Sequence, residues 1–419
     1  MSFKDKFLER FPALASRDFV LFWVGQFVSL TGTWMQSTTQ PYLAYQLTGR
    51  PFDLGLIGFA GTLPTLFLAL PAGVLIERHD KRKIVMVLQA VMMLQALTLA
   101  ALTLSGMIRL WHIVVLALVL GTANAVEITA RQAMLIELVG KEALPNAIAL
   151  QATIFNAARV LGPSLVAPFL IFIEKNGAGW AFLANGVSYL FVIGGLFYAR
   201  TPFKEAGQAK AQNLMEGLRE GQRYIFSTAS ISMLILMATT VGMIGFPFVQ
   251  QIPAFARDVL AQAGDTDATV AARNSAMYTF QGFGALTAAV ILAAYNPRRK
   301  GWLLTFGQAA FIFSLIGLGL TRSVPLALGL MVFLGWGTVT QLATMNTLIQ
   351  LQVPNELRGR VFSVYLWALQ GIAPFGSILV GAMAQAWGVS AAAAACGALA
   401  LAAIASIHLF NPFIRETVV

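Results

Sequence analysis

From Val361 to Ile414 the chain runs 54 residues without an Asp, Glu, Lys or Arg. As one helix that run would reach about 80 Å, far beyond a hydrocarbon core of about 30 Å. It therefore holds two crossings, and Gln385-Ala-Trp-Gly388 is the natural break. A charge at mid-bilayer costs several kcal/mol, so charge-free runs mark spans. Further runs lie within Asp18–Arg50 and Asp53–Glu77, at Ile84–Ile108 and Leu110–Val126, and from Pro145 to Ile173 with Arg159 inside. Six helices are complete with Asn176–Ala199; Tyr224–Ala256, Asn274–Pro297, Gly301–Thr321 and Ser323–Asn355 follow. With the final pair, this predicts an all-α polytopic membrane protein of twelve transmembrane helices.

Composition agrees. Of 419 residues 58% are hydrophobic and 11% charged, against about 25% charged in soluble domains. A cytosolic globule is excluded. The lone Cys396 supplies neither a disulfide framework nor a thiolate cluster. Lys4, Lys6, Arg10 and Arg17, interleaved with Phe and Leu, make the first 18 residues a cytoplasmic amphipathic arm rather than a cleaved signal. With that arm inside, 21 of the 28 Lys and Arg fall in cytoplasmic segments and 6 in outer ones, leaving Arg159. The asymmetry places both termini in the cytoplasm and makes the net charge of +10 topological, with no nucleic-acid partner needed.

The polar stretch 201–226 divides the chain into a six-helix bundle at 19–200 and a second at 227–419. From about Asn213 onward the linker reads as helix. Weak repeats support two related halves: Leu135–Glu142 (LIELVGKE) resembles Leu348–Glu356 (LIQLQVPNE), and the basic turn Arg78–Lys83 matches Arg298–Lys300. Such internal symmetry belongs to transporters that rock two bundles about a central site.

Gly73–Lys83 (GVLIERHDKRK) resembles the loop motif of the major facilitator superfamily. Ser29–Gln36, Arg131–Val139, Leu144–Leu150, Asn156–Pro163 and Pro354–Arg360 resemble its bacterial drug:proton antiporter branch, with macrolide-efflux and enterobactin-export permeases. The resemblance implies the major facilitator fold in the bacterial inner membrane. It also implies a cytoplasmic gate of Gly73, Glu77, Arg78, Lys81, Arg82, Glu127 and Arg131. In it, the acid at Glu77 faces the N-terminus of helix 11, and Lys81 pairs with Glu127. Gly73 is expected to let helix 2 pack closely. Glu77 stands where Asp is usual and Asp80 where Gly is usual.

Glu127 and Arg131 share a helix face at i,i+4. Glu127 is either a proton carrier or a clamp for the Lys81 loop, and cations on both sides favour the clamp. Arg159 is either paired with Glu127, Glu137 or carbonyls, or it offers its fork to an anionic substrate; structural pairing is favoured. Gly162 and Pro163, resembling the antiporter motif of helix 5, allow bending and close packing. Asp53 is a cap or an outer proton site, with the cap favoured.

Gln26, Ser29, Thr33, Gln36 and Gln40 recur at spacings of 3 and 4, one face of helix 1. Trp336, Thr340, Thr344 and Thr347 repeat the pattern in helix 10. Because the resemblance puts helices 1, 4, 7 and 10 around a cavity, the candidate lining is Gln26, Thr33, Gln36, Gln40, Asn124, Asn156, Phe248, Gln251, Trp336 and Thr340. That lining suits a bulky amphipathic molecule. Interhelical hydrogen bonding is the competing reading for each.

His79, His112 and His408 are scattered, and no metalloprotease, nucleophile-elbow or P-loop string occurs. Neither an enzyme, a cofactor nor a metal is expected. The expected activity is secondary active export of an amphipathic or hydrophobic small molecule by alternating access, coupled to protons, by a monomer among membrane lipids. The alternative is a lipid or lysophospholipid transporter without obligatory proton coupling, because helix 1 carries no acid.

Overall fold

The computed structural model describes residues 9–77, 79–173, 176–201, 214–295 and 299–410, and all regular structure among them is helical. After a 3₁₀ turn at Pro12–Ala15 come α1 (Arg17–Thr48), α2 (Pro51–Glu77), α3 (Lys81–Leu104), α4 (Leu110–Phe172) and α5 (Gly177–Phe197). The linker's helical part is α6 (Leu214–Ser227). There follow α7 (Ala229–Thr240), α8 (Asp267–Tyr295), α9 (Lys300–Leu320), α10 (Val324–Gln352), α11 (Asn355–Leu366), α12 (Ala373–Trp387) and α13 (Val389–Phe410).

Among the described residues ten helices are long and apolar enough to cross a membrane. The 32-residue α1 is not one of them, because its glutamines, serines and threonines dilute its apolar character. One of the ten is the 63-residue α4, which bends at Gly140, where φ is +75°. Only glycine adopts that backbone at little cost, so α4 is two arms meeting at a glycine hinge. The long apolar run breaks at Gly388, φ +83°, between α12 and α13. Wide π turns at Val241–Gly245, Phe255–Val259 and Trp367–Gly371 lie beside Pro247, Pro253 and Pro374. Proline cannot donate to the i−4 carbonyl, and the surrounding turns widen to accommodate it.

The chain forms two compact units. One comprises Met1–Gln40 and Phe67–Lys210, the other Pro41–Leu66 and Ala211–Val419. The first unit's core gathers Phe19, Phe22, Ile76, Met134 and Leu196. Its N-terminal segment is tied down by polar bonds: Ser16 Oγ donates to the Leu138 carbonyl at 2.8 Å. Asp18 Oδ2 accepts from the Arg200 and Thr201 amides and the Thr201 hydroxyl at 2.7–2.8 Å. The second unit's core gathers Leu234, Met237, Leu304, Leu348 and Tyr365. There Arg360 pairs with Glu220, holding α6 to α11.

Candidate functional site

The turn into α3 is built on Asp80. Its carboxylate accepts from the amides of Arg82 at 2.9 Å and Lys83 at 3.3 Å, an N-cap that satisfies donors the helix leaves open. Asp in place of the family's glycine therefore closes the turn through its side chain. Arg82 reaches the Phe197 carbonyl at 2.9 Å. Arg78 and the Glu77 side chain lie outside the described residues. At Gly73 an added Cβ would meet nothing within 4 Å among the described residues, which corrects the expected close approach.

Lys81 pairs with Glu137, not Glu127. The reason is register. Gln89 Nε2 on α3 donates to Glu127 Oε1 at 3.1 Å, and with Lys81–Glu137 this fixes α3 antiparallel to α4. Eight residues of α3, about 12 Å, separate Lys81 from the level of Glu127. Glu127 is thus deeper than expected and buried, 3% exposed, with Arg131 Nε at 3.2 Å as its cation. Gln89 Oε1 is buried without a partner.

The polar face of α1 turns into the first unit. Gln36 Nε2 donates to Gln40 Oε1 and to Gln95 Oε1, both at 3.1 Å, and Gln36 Oε1 accepts from Asn185 Nδ2 at 2.8 Å. Gln40 Nε2 reaches the Ile113 carbonyl at 3.4 Å, and the Thr33 hydroxyl lies 3.3 Å from that of Tyr189. Thr33, Gln36 and Gln40 are therefore interhelical connectors rather than free cavity lining. Amides in an apolar bundle pair with one another across helices, and here Gln95 Nε2 is left buried without a partner. Gln26 is buried with its Oε1 unpartnered. The partners Gln89, Gln95, Asn185 and Tyr189 escaped sequence reasoning, though the isolated amides in apolar runs were its available signal, and Glu137, weighed as a partner of Arg159, pairs with Lys81 instead.

Arg159 has no carboxylate within 4.0 Å among the described residues, contrary to the favoured pairing. Its guanidinium carbon lies 5.4 Å from the Trp34 ring centroid, and its Nε is buried without a hydrogen-bond partner. Trp34 also packs edge-on to Phe155 at 5.7 Å. A Cβ at Gly162 would collide with Trp34 and lie 2.8 Å from the Thr31 carbonyl. Pro163 is buried beside it. Asn156 is half-buried and its Nδ2 donates to the Ala152 carbonyl at 2.8 Å; Asn124 is half-buried on α4.

In the second unit Phe248 and Gln251 are buried. Phe248 packs on Phe255, and Gln251 Nε2 donates to the Pro51 carbonyl at 3.2 Å. Thr340 is 1% exposed and packs on Gly307, whereas Trp336 is half-buried. Asp53 occupies the first turn of α2, 3% exposed, with Arg50 Nε at 3.9 Å. The α1–α2 tip carries contacts that spacing did not reveal. Tyr45 donates to Asp258, Arg257 lies over the Tyr45 ring at 5.9 Å, and Tyr42 donates to the Asp267 carbonyl at 3.3 Å. Nearby, Arg273 grips Asp265 through bonds of 2.8 and 2.9 Å and the Ala256 carbonyl at 2.9 Å. Hydrogen bonds from Arg273 and the Gln262 amide hold the Asp265 carboxyl below its ordinary range.

Residues 9–417 match the family described as transmembrane secretion effector. The multidrug efflux pump Tap of Mycolicibacterium fortuitum is 24% identical over 393 residues, covering 90% of this chain and 91% of its own. The staphyloferrin A transporter of Staphylococcus aureus is 24% identical and covers 89% of each chain. Macrolide efflux protein A of Streptococcus pyogenes is 24% identical, covering 89% of this chain and 90% of its own. In fold the chain is similar to the nucleoside transporter NupG, with TM-score 0.71, 10% identity and coverage of 94% of this chain and 99% of that one. It is similar also to a bacterial homologue of the human lysosomal transporter Spinster, with TM-score 0.69, 16% identity and coverage of 96% and 97%. These relatives are membrane transporters, not enzymes.

Proposed function

We propose that this chain, which belongs to the transmembrane secretion effector family of the major facilitator superfamily, exports an amphipathic or hydrophobic small molecule in exchange for protons. Efflux is the activity named for two of its relatives, Tap and macrolide efflux protein A, and those names do not favour the lipid alternative. Twelve crossings follow if the two arms of α4 count separately and α1 is added to the ten apolar helices. The bundles at 19–200 and 227–419 then alternate about a central site in the bacterial inner membrane, as a monomer with both termini in the cytoplasm.

The observation that carries proton coupling is the setting of Glu127. As a carboxylate it holds Arg131 and accepts from Gln89. Taking up a proton would cancel its charge and release Arg131. The unpartnered Gln89 carbonyl would then accept from the new acid hydroxyl after a side-chain rotation. Both protonation states have a hydrogen-bond partner, which a carrier needs and a static clamp does not. Asn124, Asn156 and Trp336, each partly exposed, are the substrate-contacting residues that remain from the expected lining.

Cells expressing the protein and loaded with Hoechst 33342 test this reading. Expression should accelerate dye loss, and a protonophore should abolish the gain. Dye loss unaffected by expression would contradict export; a gain surviving the protonophore would contradict proton coupling.

A further inference from the structure

The geometry points to an oxyanion-recognition site in the first unit, in which Arg159, lying on the face of Trp34, binds a carboxylate carried by an amphipathic, aromatic-bodied substrate. This rests on the export reading and names the class of molecule exported.

The position of Arg159 in its helix carries the first step. It stands 18 residues beyond Lys141 and 13 before Phe172, about 27 and 20 Å along α4. Because that arm of about 47 Å overruns a hydrocarbon core of about 30 Å, a centred span leaves Arg159 about 11 Å from the nearer boundary, beyond what its side chain can snorkel. A guanidinium at that depth requires a partner. Trp34 supplies a cation–π contact at 5.4 Å, but that ring face accepts no hydrogen bond in the plane of the fork, and Nε is buried without a partner. No acid among the described residues lies within 4.0 Å of it. The five-donor planar fork is thus left open, and its matching ligand is a planar carboxylate held bidentately.

The surroundings describe the rest of the ligand. Trp34 and Phe155 stand edge to face at 5.7 Å beside the guanidinium, an aromatic wall for a flat apolar body. Asn156, one turn before Arg159, commits its Nδ2 to the Ala152 carbonyl, leaving its amide oxygen as an acceptor for a ligand donor. The wall is fixed in place. Trp23 Nε1 donates to the Leu150 carbonyl at 3.1 Å, and with Trp34 against Phe155 and Gly162 this sets α1 and the second arm of α4 parallel. The cation sits in a rigid seam, pre-organised for its ligand.

Purified full-length protein in detergent, titrated with 2-naphthoate, methyl 2-naphthoate and lysophosphatidylglycerol, tests the proposal by calorimetry and thermal shift. The acid should bind at least about tenfold more tightly than its ester, the scale of one charge-assisted contact. Arg159→Gln should erase that preference, Arg159→Lys should restore only part of it, and Trp34→Ala should weaken acid and ester alike. Equal binding of acid and ester by the unaltered protein would overturn the proposal without any variant. A response to Arg159→Gln confined to lysophosphatidylglycerol would overturn it in favour of a lipid headgroup. Efflux of Hoechst 33342 and, because that dye carries no carboxylate, of 2-naphthoate itself from loaded cells separates this from the parent reading. Dye export without acid preference refutes the anion site alone, and acid preference without any export refutes the export reading alone.

Discussion

Glu127 and Asp265 show how differently two paired carboxylates behave. Glu127 is buried with Arg131 as its cation. Glu127→Ala would strand that arginine, a loss of about 3–5 kcal/mol in stability. Glu127→Gln keeps a hydrogen-bonding amide and should fold, which thermal unfolding in detergent would verify. Asp265 lies in the loop before α8, its pKa depressed by Arg273 and the Gln262 amide. Because the folded value lies below the unfolded value of about 3.9, its contribution is fully present above that pH. It is lost as pH falls through the depressed folded value. Melting temperature should therefore fall as the pH drops below about 4, and fall less in Asp265→Asn; equal acid sensitivity of the two proteins would refute this. The Glu127–Arg131 pair was legible in the sequence because i,i+4 spacing is local. The partner of Lys81 was not, because helix register is set by packing between segments about 56 residues apart.

At the scale of elements, close helix approach is concentrated at glycines whose neighbours leave no room. A Cβ at Gly162 would strike Trp34 and the Thr31 carbonyl, whereas one at Gly73 meets nothing among the described residues. Gly162→Val should cost about 1–3 kcal/mol through overpacking and lower the melting temperature, while Gly73→Ala should leave it unchanged; the reverse order would contradict the packing described. The Gly388 break was legible because length alone demanded it. The Gly140 hinge was not, since a glycine in LIELVGKE carries no mark of positive φ. The polar face of α1 was legible as a face, but which partners it meets depends on amides in α3 and α5, far away in sequence.

For the whole molecule, the sequence reads two consecutive halves, yet Pro41–Leu66 clusters with the second unit. That tip is held by Tyr45–Asp258, by Gln251 on the Pro51 carbonyl and by Gly55 against Ser377. Such long-range contacts between tips leave no periodicity to read. If they close the outer side in alternating access, Tyr45→Phe should raise the labelling rate of a cysteine placed at Thr48 by a membrane-impermeant maleimide, in a Cys396→Ala background, by about two- to tenfold. An unchanged rate would separate the tip from gating. The central claim, proton-coupled export through Glu127, is tested most directly in proteoliposomes carrying an internal pH reporter. Adding Hoechst 33342 should drive proton movement in the unaltered protein, and Glu127→Gln should reduce it more than tenfold while dye binding persists. Equal proton flux in both proteins, or dye transport with no proton flux in either, would contradict it.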